Sequence, residues 1–355
     1  MHAVRRDRLR AEVSRCADGL VIVDSADLRY LTGFSGSNGA LFVSSAQSDG
    51  DVFSTDSRYA DQVAVQCPDL GVLVARNCLE AVVQQCVSQG ADHIAIDAGL
   101  TTRQVAAIES AGVNVVHTQG LVAALRETKD VHEITAIEEA CAITSGALNA
   151  LIEEIRVGDT EIRLARRLEQ LFGEFGAEDR AFPTIVASGA HSARPHHEPG
   201  MGTLQEGDLL VIDCGARVRG YHADMTRTFI VGEPSSWQIE LHALVASAAQ
   251  AGRAAARPGV ALADLDATSR RVIEAAGYGE SFGHGLGHGI GLQIHEAPMI
   301  GPRAEGRLAA ETTITVEPGV YLPGRGGVRI EDSLLVTADG HRSLTSVPRS
   351  LRAVG

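Results

Sequence analysis

The chain has 355 residues, and at about 150 residues per domain this length predicts two domains. Its 31 basic and 45 acidic residues leave a formal net charge of −14, which argues against a general nucleic-acid-binding protein because such proteins usually present a basic face. Hydrophobic residues make up 45% of the chain, enough for a sizeable core, and no apolar run reaches the roughly 18 residues that a membrane span needs.

The N-terminus and the cysteines indicate a reduced, cytoplasmic protein. Residues 1–10 are basic but no apolar block follows them, so we expect the first turns of a surface helix and not a secretory signal. Six cysteines without a Cys-x-x-Cys pair do not form a disulfide framework in a chain of this length.

The first 125 residues or so alternate short apolar runs with helical stretches, which predicts an α/β domain. Asp56 is expected to cap a helix that continues through Gln66. The glycine-rich stretch 33–39 could cradle a phosphate, but it lacks the Gly-Lys-Ser/Thr ending, so a plain loop is favoured. Four apolar runs are expected as buried strands: residues 20–23, 40–43, 93–96 and 113–116.

A long helix is predicted from near Lys129, and a second from about Thr160 to Phe175, because apolar residues recur there at helical spacing. The domain boundary is therefore expected just before the first of these helices, giving domains of residues 1–125 and 126–355. Histidines and glycines then become frequent, and the chemistry is expected in this second domain.

Asp213 lies in an apolar strand, residues 211–215, and residues 221–229 are predicted to return beside it. If residues 217–220 form the turn, Asp213 stands directly opposite Asp224, where like charges destabilise a sheet. Two buried carboxylates need protons, cationic partners or a metal. The alternative is a pair of exposed acids on a surface hairpin.

A second pair of acids follows the same arithmetic near the C-terminus. A turn centred on Gly324 places Glu317 opposite Glu331 across a glycine-rich hairpin. Pro318 can distort this register, and surface acids are the alternative here too.

Three histidines, His284, His288 and His295, lie between the two pairs of acids in a run threaded with glycines. Glycine permits close approach of the backbone to a bound group. His288 could supply one neutral nitrogen ligand, leaving His284 and His295 for substrate. Four carboxylates and one imidazole suit two divalent ions such as Mn²⁺, with Co²⁺, Fe²⁺ or Zn²⁺ as alternatives. The pattern therefore points to metal-assisted hydrolysis.

These motifs resemble those of the pita-bread metallopeptidases, which include methionine aminopeptidases, aminopeptidase P and prolidase. The resemblance covers roughly residues 128–340. It implies an α/β (α+β) chain with a creatinase/prolidase-like N-terminal α/β domain and a C-terminal pita-bread catalytic domain.

The resemblance also implies a dinuclear centre. Asp213 would bind one ion, Asp224 and Glu331 would bridge both, and His288 and Glu317 would complete the shell of the other. A metal-bridging water or hydroxide would then attack the peptide bond. Glu317 would accept the proton of that water.

Four further residues match the substrate site of the prolyl branch. His196 and His295 match two substrate histidines, the latter placed to stabilise the tetrahedral intermediate, and His284 and Arg329 match residues that line the site. His197 is expected to be only a neighbour of His196. In the N-terminal domain, residues 28–37 also resemble the prolyl branch.

The expected activity is hydrolysis of the Xaa-Pro bond in short proline-containing peptides, by a dipeptidase or an aminopeptidase. A homodimer is expected, because dimers are common in this branch, and neither nucleic acid nor membrane is expected as a partner. Two alternatives remain: a creatinase-like amidinohydrolase, which works without metal, and a non-catalytic pita-bread protein that binds peptides or proteins. Retention of all five ligands argues against both.

Overall fold

Six short strands form one mixed sheet in the N-terminal part of the chain. The computed structural model describes residues 1–97 and 99–355, which cluster into two units, Met1–Arg126 and Glu127–Gly355. The strands of the first unit are β1 (Gly19–Ile22), β2 (Gly39–Ser44), β3 (Val52–Thr55), β4 (Gly71–Val74), β5 (His93–Ile96) and β6 (Asn114–His117). Their order is β4-β3-β2-β1-β5-β6, with β2 antiparallel to both β1 and β3 and the other pairs parallel. All four predicted strands are present, but β6 is not a buried strand, because its residues are exposed or half-buried. Strands β3 and β4 were not predicted.

Side-chain caps set the ends of several helices in this unit. The Asp24 carboxylate accepts hydrogen bonds from the Ala26 and Asp27 amides, and Gly33, at φ 82°, ends the same helix. The stretch from Gly33 leads into a strand, and a plain loop is confirmed, because a phosphate cradle needs a helix N-terminus behind it. The helices are α1 (His2–Val13), α2 (Ser25–Thr32), α3 (Ala60–Gln66), α4 (Cys78–Ser88), α5 (Thr102–Glu109) and α6 (Leu121–Glu127).

The predicted helix after Asp56 is confirmed. The Asp56 carboxylate accepts from the Arg58 amide at 3.0 Å and caps a 3₁₀ turn that leads into α3. The N-terminal helix is also present, but it is not confined to the surface. Arg5 and Arg6 are each 3% exposed, and Arg6 pairs with the buried Asp51 at 3.1 Å, so the basic run anchors the helix to the unit.

Long helices and antiparallel sheets make up the second unit. The helices are α7 (Val131–Glu154), α8 (Glu161–Glu174), α9 (Ser236–Ala255) and α10 (Leu262–Ala275). A reciprocal capping box between Asp130 and Glu133 starts α7, and the Thr160 side chain caps α8. Both predicted helices are therefore confirmed. The domain boundary at 125/126 stays a prediction.

Four sheets in the described part of the second unit position the candidate site. Their orders are β11-β10-β7, β20-β12-β9-β8, β14-β13-β15-β18-β19 and β16-β17. The strands are β7 (Asp179–Arg180), β8 (Ile185–Ser188), β9 (Leu209–Cys214), β10 (Ala216–Val218), β11 (Tyr221–His222), β12 (Met225–Val231), β13 (Gly287–Gly289), β14 (Glu296–Ile300), β15 (Thr313–Val316), β16 (Gly319–Leu322), β17 (Gly326–Arg329), β18 (Asp332–Thr337), β19 (Gly340–Ser343) and β20 (Ala353–Val354).

One hydrophobic core of this unit brings side chains of α9 and α10 together with those of the sheets. Val245, Leu265, Ile314 and Leu334 are all fully buried in it. Across residues 1–97 and 99–355, none of the helices combines the length and apolar character needed to cross a bilayer.

Candidate metal centre and active site

A tight turn sets the register of the hairpin that carries the first two acids, and the predicted register is wrong. Arg219 and Gly220 alone form the turn, with φ values of 49° and 79°, as two-residue hairpin turns of the primed type require. Asp213 is therefore opposite Thr226 and not opposite Asp224. The predicted four-residue turn misplaced the pairing by two positions.

A shift of two positions preserves the face on which each side chain lies, because side chains alternate with a period of two. Asp213 and Asp224 consequently remain diagonal neighbours on one face. They are 9% and 5% exposed, so the alternative of exposed hairpin acids is wrong.

The second hairpin has the predicted register. Gly319 pairs with Arg329, and the Ile330 amide donates to the Pro318 carbonyl at 3.4 Å, which continues the pairing toward Glu317 and Glu331. Pro318 does not shift it. Glu331 is 1% exposed, so a surface position for this acid is wrong as well.

His288 lies in β13 between two glycines whose missing side chains let neighbouring strands approach. A Cβ atom on Gly287 would lie 2.1 Å from the Thr315 carbonyl oxygen, and one on Gly289 would lie 2.1 Å from the Ala297 carbonyl oxygen. His288 Nδ1 lies 3.0 Å from the Gly289 carbonyl oxygen, which can only accept, so Nδ1 carries the proton. In the neutral ring it is therefore Nε2, the nitrogen facing the acids, that can bind a metal.

The acids of the two hairpins and His288 converge. His288 Nε2 lies 3.3 Å from Glu317 Oε1 and 3.6 Å from Asp224 Oδ2. One ligand atom from each of Asp224, His288 and Glu331 lies within 4.8 Å of the others. These residues can hold a metal ion in common.

Asp213 supplies the test of whether a metal fits. Its Oδ2 accepts from an Arg329 nitrogen at 2.7 Å, but its Oδ1 is buried without a hydrogen-bond partner among the described residues. A buried polar group without a hydrogen-bond partner lowers stability by about 1–3 kcal/mol, and a charged group such as a carboxylate lowers it by more. A cation bound there would remove that cost, so the donor set fits divalent metal.

The electrostatics of the cluster also call for cations. Burial, reinforced by the neighbouring carboxylates, raises the pKa of Asp224 and of Glu331 well above their usual values. Burial alone would raise the pKa of Glu317 too, but His288, with smaller contributions from His284 and Arg329, outweighs burial and the pKa is lowered. Burial works to lower the pKa of His288, and the attraction of Glu317 raises it. Asp224 and Glu331 therefore resist ionisation unless further positive charge is added beside them.

A chain of three side chains lies beside the acids, and sequence reasoning missed its central member, Tyr321. An Arg329 nitrogen donates to the Tyr321 hydroxyl at 2.9 Å, and that hydroxyl lies 3.0 Å from His284 Nε2. His284 Nδ1 lies 2.8 Å from the Gly285 carbonyl oxygen, so Nδ1 holds the proton and Nε2 accepts from Tyr321. Burial raises the pKa of Tyr321 to about 12 and lowers that of His284, which keeps both groups neutral. Position gave the only available signal: Tyr321 follows the Glu317-Pro-Gly turn within the same hairpin.

A second missed residue, Thr226, links two of the site's charged groups. Its hydroxyl donates to Glu331 Oε2 at 2.7 Å and accepts from Arg329 Nε at 3.0 Å. Arg227, the next residue, is 2% exposed and pairs with Asp332 at 2.8 Å. Thr226 and Arg227 thus hold Glu331 and the two residues closest to it in this network, Arg329 and Asp332.

The predicted substrate histidines line one cavity of about 910 Å³ together with the acids. His295 packs edge-on against His288, with ring centroids 4.4 Å apart, and burial lowers the pKa of His295. His196 lines the same cavity from an exposed position. Apolar residues such as Phe182 and Ile294 complete the wall. The structure therefore brings every predicted site residue together around one space.

Comparison with protein families identifies both parts of the chain. The profile of metallopeptidase family M24 matches residues 135–338. The chain belongs to this family. The Creatinase/Prolidase N-terminal domain matches residues 5–128. The predicted fold class, an N-terminal domain of this type with an M24 catalytic domain, is confirmed.

Several relatives match this M24 metallopeptidase over nearly the whole of both chains. An uncharacterised peptidase of Bacillus subtilis is 35% identical over 338 residues, covering 94% of this chain and 95% of the relative. The solved structure of an Xaa-Pro dipeptidase from Bacillus anthracis matches with a TM-score of 0.96 and 34% identity over 100% of both chains. An X-Pro aminopeptidase from Thermotoga maritima matches with a TM-score of 0.91 and 35% identity, over 98% of this chain and 99% of that one.

Proposed function

We propose that the chain is a dinuclear-metal peptidase that hydrolyses the Xaa-Pro bond at the N-terminus of short peptides. The observation that carries the proposal is the unpaired, buried Oδ1 of Asp213 in a cavity that is also lined by the acids Asp224, Glu317 and Glu331 and by the imidazole of His288. The names of the Bacillus anthracis and Thermotoga maritima relatives support the substrate class.

Asp213, Asp224, His288, Glu317 and Glu331 would hold the ions, with Asp224 and Glu331 contributing to both. Two divalent ions bound there would supply Lewis acidity, which lowers the pKa of a water toward about 7 and polarises a carbonyl. Mn²⁺ is the proposed ion because oxygen ligands predominate, with Co²⁺, Fe²⁺ and Zn²⁺ to be compared.

Glu317 handles the proton in this proposal. Its lowered pKa leaves it ionised near neutral pH, so it can accept a proton from the attacking water. The nitrogen of an Xaa-Pro bond carries no hydrogen and must gain a proton to leave as an amine. Glu317 would return the proton to that nitrogen, acting first as base and then as acid.

The histidines of the cavity would bind the substrate and its developing charge. His295, with a lowered pKa, can donate a neutral N–H to the oxyanion as the carbonyl becomes tetrahedral. His196, which lines the same cavity, would also bind the substrate. Arg329 and His284 would line the substrate site, held in place by the Tyr321 hydroxyl, which is hydrogen-bonded to both.

A peptide panel tests the proposal. Metal-depleted protein reloaded with Mn²⁺ should contain two ions per chain by elemental analysis and should cleave Ala-Pro, Ala-Pro-Ala or both. Ala-Ala should be cleaved at least about a hundredfold more slowly. Cleavage of no member of the panel, or protein without stoichiometric metal, would contradict the proposal. Comparison of Ala-Pro with Ala-Pro-Ala decides between dipeptidase and aminopeptidase.

Two further properties belong to the same proposal. We propose a homodimer, for which light scattering on the purified protein should give twice the chain mass of 37.3 kDa. We also propose a reducing, cytoplasmic compartment, because all six cysteines are free thiols.

A further inference from the structure

The first residue of α8, Glu161, ties together both ends of one loop. Its side chain is fully buried. It accepts hydrogen bonds from the Ser188 amide at 2.9 Å, His191 Nδ1 at 2.8 Å, His197 Nε2 at 2.8 Å and the Gly200 amide at 3.3 Å. We call residues 188–200 the His196 loop. One carboxylate therefore fixes this loop at its beginning, within it and at its end.

The residue that this loop presents to the cavity cannot fix its own position. His196 makes no side-chain hydrogen bond to any residue in the described ranges, 1–97 and 99–355, and it is exposed. On one side of it, the Pro195 carbonyl accepts only a long contact of 3.5 Å from Arg329. On the other side, His197 is anchored to Glu161 at 2.8 Å. Further back in the loop, Ser192 Oγ accepts from the Gly327 amide at 2.8 Å, but directly beside His196 the shortest contact is that of His197.

Glu161, His191 and His197 could also be regarded as three donors for a metal, but the distances favour hydrogen bonds. Ligand bonds of about 2.0–2.1 Å at tetrahedral angles separate a nitrogen and an oxygen by about 3.3 Å. His288 keeps separations of 3.3 and 3.6 Å from the acids of the metal centre. Both histidines lie 2.8 Å from Glu161, the usual length of a charge-assisted hydrogen bond.

We propose that Glu161 and His197 are positioning residues that hold His196 against the substrate. From sequence, His197 was expected to be only a neighbour of His196, and its hydrogen bond to Glu161 is what suggests a separate task. The proposal rests on the proposed function, because His196 acts on an Xaa-Pro substrate there. Loss of the pair leaves the five metal-binding residues unaltered and lets the His196 loop move.

Two variants of similar chemistry but different reach provide the test. His197→Gln keeps an amide N–H near the position of Nε2, whereas His197→Asn is one methylene shorter and cannot span the distance to Glu161. Misplacement of a reacting group by about 1 Å can cost on the order of 100-fold in rate. We expect His197→Asn to lower kcat for Ala-Pro by about 10- to 100-fold with KM changed less than about threefold. His197→Gln and the exposed control Arg194→Ala should stay within about threefold of wild type.

A double-mutant comparison separates positioning from general damage to the fold. In a His196→Ala background, His197→Asn should cost less than about twofold, because its effect passes through His196. An equal loss in both backgrounds would overturn the proposal. So would a third equivalent of bound Zn²⁺ that disappears in His197→Asn. If His197→Asn does not fold, Glu161→Gln replaces it in the same comparison.

Amide hydrogen exchange of the metal-free protein tests the same inference without activity. Exchange in the His196 loop should rise in His197→Asn and stay unchanged in His197→Gln and Arg194→Ala. Unchanged exchange in His197→Asn would overturn the positioning role. If wild-type protein cleaves no Xaa-Pro peptide, the proposed function fails while the exchange result still decides whether His197 orders the loop.

Discussion

Replacement of Glu331 by glutamine should change stability in opposite directions with and without metal. Glu331 and Asp224 each offer an oxygen, and these lie within 4.8 Å of one another. At an effective dielectric constant of about 20, two unit charges at that distance repel by about 3.5 kcal/mol. Proton uptake relieves part of this repulsion, so we expect Glu331→Gln to raise the free energy of unfolding of metal-free protein by about 1–3 kcal/mol.

The metal-loaded protein should respond in the opposite way. Binding stabilises a folded protein by RT ln(1 + [L]/Kd), so a loss of about 100-fold in affinity at one ion removes about 2.3 kcal/mol when metal is 100-fold above the original Kd. Because Glu331 would serve both ions, the total loss of about 4.6 kcal/mol exceeds the gain expected without metal. Urea unfolding in EDTA and in excess Mn²⁺ measures both values. Glu305→Gln, the same change at an exposed acid, is the control and should shift neither. Destabilisation of equal size in both buffers would refute the idea that repulsion among these acids is relieved by metal.

Three other outcomes follow from the structure. Tyr321→Phe removes the hydroxyl that links Arg329 to His284, so kcat for Ala-Pro should fall by about 10-fold or more. Elemental analysis should find an unchanged metal content, and an unaltered kcat would contradict this role of the hydroxyl. His295→Ala should lower kcat by about 100-fold and also retain both ions, and loss of metal would place His295 among the ligands instead. Burial lowers the pKa of His242 to about 4, so protonation favours unfolding and stability is lost as pH falls from about 6.5 to 4. Relative to wild type, His242→Leu should gain about 3 kcal/mol over that interval, and a pH-independent difference in urea unfolding would contradict the assignment.

The acids of the site could be found from sequence because local spacing determines which strand faces they share. The register of the first hairpin was wrong by two residues, since a sequence does not reveal that Arg219 will adopt a left-handed φ of 49°. The even shift kept Asp213 and Asp224 on one face, so the chemical conclusion survived. For Glu317 and Glu331, the glycine at the centre of the turn was enough to give the register.

Contacts between distant elements could not be predicted in the same way. Glu161 reaches His197, 36 positions away, and Arg227 reaches Asp332, 105 positions away. No local pattern marks such partners, because they depend on how α8 and the sheets pack. Tyr321 was overlooked for a related reason: an aromatic residue in an apolar strand resembles ordinary core until its hydroxyl is seen bonded to Arg329.

Titration of metal-free protein with Mn²⁺, followed by hydrolysis of Ala-Pro and Ala-Pro-Ala, tests whether the chain is a two-metal Xaa-Pro peptidase. Cleavage of the bond before proline should rise with added metal and reach its plateau at two equivalents per chain. Absence of cleavage at every metal concentration would contradict the claim, as would cleavage at full rate in protein from which all metal has been removed.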